Sequence, residues 1–276
     1  MTSDKAAAPG DAAGRSLTPK LDTSVAHQAR VYDYMLGGKD NYAADREAAE
    51  ASLKVWPDAF FTARANRAFL GRVVRYMAAD AGISQFLDIG TGIPTAGNTH
   101  QVAQEITPES RVVYVDHDPI VLTHARALLI SHPAGATDYI DADLCEPGKI
   151  LTEAAELLDF TKPVAVTLLA ILHAIPDSRD PHGIVATLMD AVPPGSCLAV
   201  SHAASDLLSQ EKLDGLKDVS DRLSHPFTYR SREQVARFFA GTDLAAPGLV
   251  RVEEWRPDPG TSREGTSALW GAVGHK

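Results

Sequence analysis

The stretch Gln85-Phe86-Leu87-Asp88-Ile89-Gly90-Thr91-Gly92-Ile93-Pro94-Thr95 restricts the possible folds more than any other part of the chain. An apolar run ends on an acid and then on two glycines one residue apart, and a helical pattern follows over about 98–106. A buried parallel strand that turns sharply into a helix beneath a ligand has this form, because glycines accept positive φ and let backbone come close to what is bound. The amides of the turn and the helix N-terminus make a partly positive lip. Asp88 adds a negative charge at the strand's carboxyl end. A dinucleotide fingerprint would want glycine or alanine where Thr95 stands, and a pyrophosphate would sit poorly beside Asp88. A ligand with an ammonium and a sulfonium suits that carboxylate better.

A second, β-branched run over 111–115 ends in Asp116-His117-Asp118-Pro119. Asp116 lies 28 residues after Asp88, about the length of one strand–helix–strand crossover. A carboxylate at the tip of that second strand can accept both hydroxyls of a ribose. A third run, Asp138-Tyr139-Ile140, leads into Asp141-Ala142-Asp143-Leu144, where an acid can reach an adenine amino group. Acids also terminate strands and cap helices. An acid at the tip of each of these runs is a stronger signal than the glycines alone.

The order of these runs resembles the class I S-adenosylmethionine-dependent methyltransferases. More narrowly, the segment Ala29-Arg30-Val31-Tyr32-Asp33-Tyr34-Met35-Leu36-Gly37-Gly38-Lys39-Asp40-Asn41-Tyr42 is similar to the hallmark of one uncharacterised bacterial family of that class. Arg64-Ala65-Asn66-Arg67 and the strand Phe86 to Gly92 follow it as they do in the family. The resemblance runs over about 26–274. It implies a Rossmann-like α/β fold with a seven-stranded, mostly parallel sheet in the order 3-2-1-4-5-7-6 and helices on both faces. It also implies S-adenosyl-L-methionine as cofactor, with S-adenosyl-L-homocysteine as product, and it leaves the methyl acceptor open. The residues it places around the cofactor are Asp88, Gly90, Thr91, Gly92, Asp116, His117, Asp143, Leu144, Ala170 and Tyr32. Arg64, on the helix before the first strand, would hold the methionine carboxylate; the alternative is a solvated arginine.

With 276 residues and 45% hydrophobic content, a single α/β domain can bury a large core. Residues 1–22 are rich in Ala, Gly, Ser, Asp and Lys and read as a disordered tail. The remainder, 23–276, reads as one domain: an N-terminal helical lid at 23–82, then a core at 83–276 with a helical insertion at about 203–240. The net charge of −10 argues against nucleic acid or an anionic membrane as partner. No apolar run reaches 18 residues and the N-terminus lacks a signal core. Cys145 and Cys197 are too few for a disulfide framework. A cytoplasmic enzyme, monomeric or homodimeric, is the expectation. No metal is expected, since the histidines are scattered without an H-x-x-x-H or C-x-x-C spacing.

Tyr32, Tyr34 and Tyr42 around Gly37-Gly38 read as an exposed segment, either a lid over the cofactor or a strap packed on the core. A helix over 62–79 carries Phe69, Val73 and Met77 at four-residue spacing, and Gly82 stops it. A crossover helix over 119–130 turns Val121, Leu122, Ala125, Leu128 and Leu129 to the core. The apolar strand over 163–170 delivers Ile171-Leu172-His173 to the same edge as Asp88. There His173 could be a base near neutral pH, a neutral pocket-lining group, or a purely structural one. The stretches 249–255 and 267–273 alternate as an antiparallel hairpin would. A pocket of Leu172, His173, Ile175 and Tyr229 is mostly apolar, which points to a small-molecule acceptor. Two alternatives remain at this level: a non-catalytic S-adenosylmethionine-binding module, and a nicotinamide-dependent oxidoreductase.

Overall fold

The computed structural model describes residues 22–121, 123, 131–261 and 264–276. The expected tail falls outside these residues except for its last position. So do Leu122, Ala125, Leu128 and Leu129 of the crossover helix that starts at Pro119. Strands β1 (Gln85–Ile89), β2 (Arg111–Asp116), β3 (Ala136–Asp141), β4 (Ala165–Leu169) and β5 (Cys197–Ala203) are parallel and lie in the order 3-2-1-4-5. β8 (Leu269–His275) runs antiparallel along β5. On the outer edge of β8 sit two short pieces, β6 (Asp243–Leu244) and β7 (Val250–Arg251). The sheet therefore has eight strands where seven were expected. The two pieces fill one lane of the expected order, because both pair with β8, whose other edge β5 already occupies. The expected hairpin is real only over Val250–Arg251, since a 3-10 turn, Val252–Glu254, takes over the next residues.

Successive strand residues point to opposite faces, and both faces are covered. Leu87, Val113, Val166, Leu168, Leu198 and Val200 pack on one side against the helices Pro147–Ala154 and Pro181–Asp190. Phe86, Val112, Tyr114, Ala165 and Ala199 pack on the other against α3 (Ala59–Arg75), through Phe69, Val73 and Val74, and against Trp255. α3 carries on through a π-helical turn, Tyr76–Asp80, and ends at Gly82, which has φ 68°. α4 (Thr99–Ile106) follows the glycine turn, and Asn98 and Gln101 close its N-terminus as a capping box.

The N-terminal motif is largely an instruction for a tight turn. α1 (Gln28–Met35) and α2 (Ala43–Val55) are joined around buried Asp33, whose carboxylate accepts from the Asp40 amide at 3.0 Å and from Asn41 Nδ2 at 2.8 Å. A second buried acid, Asp45, pairs with Arg30 at 3.0 Å and takes the Tyr42 amide. Tyr32 and Tyr34 are half-buried, so of the tyrosines expected at the surface only Tyr42 is exposed. Tyr32 donates to the Ala63 carbonyl and Tyr34 to Glu50.

The turn after β1 is the tightest point near the carboxyl edge. Gly90 has φ 77° and a β-carbon there would stand 2.6 Å from the Ile171 side chain. Gly90→Ala should cost roughly 2–4 kcal/mol, the left-handed backbone and the overpacking together. Gly97 has φ 75° with nothing within 4 Å, so Gly97→Ala should cost only the backbone part, about 1–2 kcal/mol. Urea unfolding of both variants checks this; equal losses would show that Ile171 does not enforce the glycine.

Candidate active site

β1, β2 and β4 end together, and their tips carry the polar groups of the site. Asp88 is buried, and the hydroxyls of Thr99 and Thr167 donate to its two oxygens at 2.6 and 2.7 Å. Burial pushes its pKa up, while those two hydroxyls and the nearby Arg67 charge oppose the rise. Asp116 is held by three amides: Gly92 at 2.8 Å on one oxygen, His117 at 2.8 Å and Asp118 at 3.0 Å on the other. Burial raises its pKa against these three hydrogen bonds. Ala170, at the tip of β4, has φ 55°, a left-handed backbone that costs about 1–2 kcal/mol without a glycine. Its amide donates to the carbonyl and the hydroxyl of Ser201 in β5. The Ser201 hydroxyl in turn donates to Asn66 Oδ1 at 2.6 Å, and Asn66 Nδ2 donates to the Tyr32 oxygen at 3.0 Å. A chain of hydrogen bonds thus runs from the sheet edge through α3 to α1.

Two cavities, of about 230 and 460 Å³, meet over this edge and share His27, Gln28, Gly90, Asp116, Ile171 and Phe227. The larger lies beyond β2 and β3, with His117, Ala142, Asp143, Leu144 and Cys145 in its wall. The smaller lies over β1 and β4 and is roofed by α1 and α2. At one end of it stand Tyr32, Asn66, Arg67, Asp88, Thr91, Gly92 and Ala170. Its other walls are mostly apolar, with Met35, Trp56, Leu216, Val219 and Leu223 among them, interrupted by Ser52, Thr62, His173, Ser220 and Tyr229.

Sequence reasoning and structure differ at several positions. Arg64 is exposed and lines neither cavity. One face of α3 meets the cavity through Ala63, Asn66, Arg67 and Leu70, spaced three and four residues apart, and Arg64 lies off that face. The cation inside is Arg67, which donates to Asn98 Oδ1 at 2.9 Å and to the Ala96 carbonyl at 3.1 Å. Burial lowers its pKa, against the charge of Asp88. Leu172 is fully buried in the core instead of facing a cavity, because the 3-10 turn Leu172–Ala174 rotates it inward. Ile175 lines the larger cavity, on the Asp116 side. His173 and Tyr229 do line the smaller one. His173 is held at about 3, chiefly by burial and then by the charge of Arg230. It is neutral at pH 7, and its Nδ1 accepts the Ala203 amide at 3.4 Å.

Two groups had no signal in the sequence. Arg230 is buried and donates to the carbonyls of Leu172 and Ile175, to His202 Nε2 at 2.8 Å and to Asp177 at 2.6 Å. It locks the turn that carries His173. His27 Nδ1 lies 2.9 Å from buried Asp118, tying the start of α1 to the tip of β2. Burial would raise Asp118, but the His27 contact, the Ile120 amide and the Arg30 charge together lower its pKa. Among the described residues no group of His, Cys, Asp and Glu could hold a metal ion.

A glycine turn under a pair of cavities, with acids at successive strand tips, a parallel sheet in the order 3-2-1-4-5 and an antiparallel β8, agrees with the class I S-adenosylmethionine-dependent methyltransferase that the sequence resembles. The chain belongs to the S-adenosyl methyltransferase family, whose model matches residues 15–276. This decides between the methyltransferase and the two alternatives raised by the sequence. The structure is similar to that of a DUF574 family protein from Streptomyces avermitilis MA-4680, with 44% identity, 92% of this chain and 99% of that one covered, and a TM-score of 0.88. It is also similar to a candidate methyltransferase from Thermobifida fusca YX, at 38% identity over 95% of this chain and 99% of that one, with a TM-score of 0.85. An O-methyltransferase family protein from Burkholderia thailandensis shares the fold at 12% identity and a TM-score of 0.50, over 88% of this chain and 63% of that one. No curated protein matches the chain.

The cofactor of the family is S-adenosyl-L-methionine, and the cavities fit it. Gln28 Oε1, at their shared seam, is buried with no hydrogen-bond partner among the described residues. A β-carbon on Gly92 would meet nothing within 4 Å, so backbone is open to a ligand there. The residues available to hold it are Asp116 for hydroxyls, Asp143 and Leu144 for the purine, and Arg67 for a carboxylate. On that assignment Arg67→Ala should weaken S-adenosyl-L-homocysteine binding by about 1.5–3 kcal/mol, the worth of a lost charged hydrogen bond. Arg64→Ala should change it less than about twofold. Calorimetry on the two variants decides; a loss confined to Arg64→Ala would restore the reading from the sequence.

Proposed function

We propose that this methyltransferase acts on a small, partly apolar molecule bound in the smaller cavity, beneath α1 and α2. The observation that carries the reading is the contrast between the ends of that cavity: charged side chains at the end against β1, and apolar walls away from it. When bound, S-adenosyl-L-methionine supplies a methyl carbon already activated by a sulfonium. The chain's own residues then have to align and dehydrate. Asp116, fixed by three amides, orients one end of the cofactor. Asp88, fixed by two hydroxyls, keeps a negative charge beside the other. α1 and α2 exclude water, and the alignment itself supplies most of the rate enhancement.

A nucleic-acid acceptor is disfavoured by the net charge of −10. Cys145 and Cys197 are both free, which suits a reducing, cytoplasmic setting. Among the described residues no helix is long and apolar enough to cross a membrane. With methyl-labelled cofactor, label should pass to components of a metabolite extract and not to RNA or DNA. Robust labelling of nucleic acid, with none in the extract, would contradict the proposal.

A further inference from the structure

The smaller cavity's apolar end identifies a class of acceptor; this step rests on the small-molecule reading above. Trp56, Leu216, Val219, Leu223 and Tyr229 wall that end. The ionised groups of the cavity, Arg67, Asp88 and Asp116, stand at the other. Arg67 lies eight residues beyond Ala59 on α3, about 12 Å along the helix. An ammonium at the apolar end would lose its water and meet no anion, and a carboxylate or phosphate would meet no cation, only the neutral His173 N–H and Tyr229 hydroxyl.

No group there takes a proton. The Ala203 amide occupies Nδ1 of His173, so Nε2 carries the hydrogen and the ring presents an N–H instead of a lone pair. The groups facing it reinforce this. Arg230 lies behind it with its charge, His202 on β5 already accepts from Arg230 through Nε2, and Phe227 packs on its ring with centroids 4.2 Å apart. Tyr229 has a phenol pushed up by burial and, among the described residues, no hydrogen-bond partner. His27 is engaged with Asp118 at the seam between the cavities. An alcohol or phenol, whose proton must leave as the bond forms, finds no base.

We propose that the acceptor is a flat, uncharged molecule methylated on an aromatic or heteroaromatic nitrogen, whose own lone pair attacks without a protein base. Such a nitrogen is weakly basic, so it enters neutral with its electron pair available. That pair forms the new nitrogen–carbon bond as the carbon–sulfur bond breaks, and the electrons of the broken bond stay on sulfur. The positive charge passes from sulfur to nitrogen. An arylamine then loses its proton to water; a ring nitrogen keeps the charge and leaves an apolar chamber that no longer suits it. The aromatic walls favour stacking of a flat ring, and the Tyr229 hydroxyl and the His173 N–H are the polar groups that orient it.

The test uses the full chain saturated with S-adenosyl-L-homocysteine, and calorimetry with quinoline, isoquinoline, 1-naphthylamine, N-methylquinolinium and 2-naphthoate. The neutral nitrogen rings should bind at least tenfold more tightly than the two ions. Equal or tighter binding of either ion overturns the proposal. So does the absence of binding by every neutral ring in a protein that binds S-adenosyl-L-homocysteine. Failure to bind S-adenosyl-L-homocysteine would instead remove the cofactor assignment beneath it. With S-adenosyl-L-methionine, methyl transfer to the bound nitrogen rings should, in His173→Gln, lose in acceptor KM with kcat kept within about threefold, because His173 orients the ring and takes no proton. It should also show no acid limb between pH 5.5 and 7.5 beyond the acceptor's own titration. Preferential transfer to 1-naphthol, lost in His173→Gln, or no transfer to a nitrogen ring that binds, would each overturn nitrogen attack.

Discussion

The site depends on one clasp between neighbouring strands. Past the end of β1 the chain swings into the left-handed region at Gly90 and Gly92. It is held there by β2, with the Gly90 amide on the Val115 carbonyl at 2.8 Å and the Gly92 amide on the Asp116 carboxylate at 2.8 Å. This lifts the backbone off the sheet and leaves both cavities open on either side of it. The same contact aims Asp116, so the groove's shape and the position of its main acceptor group are one feature. A residue with a β-carbon at position 90 cannot keep this turn, because Ile171 fills the space.

Around the clasp, several buried polar groups are paired across the chain, while Gln28 Oε1, Thr95 Oγ1 and the Tyr139 hydroxyl have no partner among the described residues. Asp88 with Thr99 and Thr167, Ser201 with Ala170 and Asn66, and Arg230 with the turn of His173 each bind separate chain segments together. A satisfied hydrogen bond is worth only about 0.5–1.5 kcal/mol net, whereas stranding a buried partner costs about 1–3 kcal/mol. These contacts therefore select one arrangement of the strand tips more than they add stability. The strained backbone of Ala170 survives inside that arrangement.

The parallel sheet and its cofactor edge were legible because they rest on local patterns: apolar runs of strand length, glycines where φ is positive, and acids where strands stop. Asp88, Asp116 and Asp143 needed only their place in those runs to be set along that edge, where they line the cavities. The broken edge strand was not legible, since Asp243–Leu244 and Val250–Arg251 are too short to show alternation. The choice between Arg64 and Arg67 turned on a rotation about the axis of α3, which an Arg-x-x-Arg spacing leaves open. Leu172 went inward because a 3-10 turn broke the strand's alternation at that point. Arg230 was invisible for a different reason. Its partners, at Leu172, Ile175, Asp177 and His202, lie 28 to 58 residues away and meet it only in the fold.

The claim that one cofactor straddles the two cavities is tested most directly by a crystal structure of the S-adenosyl-L-homocysteine complex. The account places the purine in the larger cavity beside Asp143 and Leu144, the ribose on Asp116, and the carboxylate near Arg67, with the sulfur facing the apolar chamber. Adenosine lodged in the apolar chamber, or a carboxylate bound at Arg64, would contradict it.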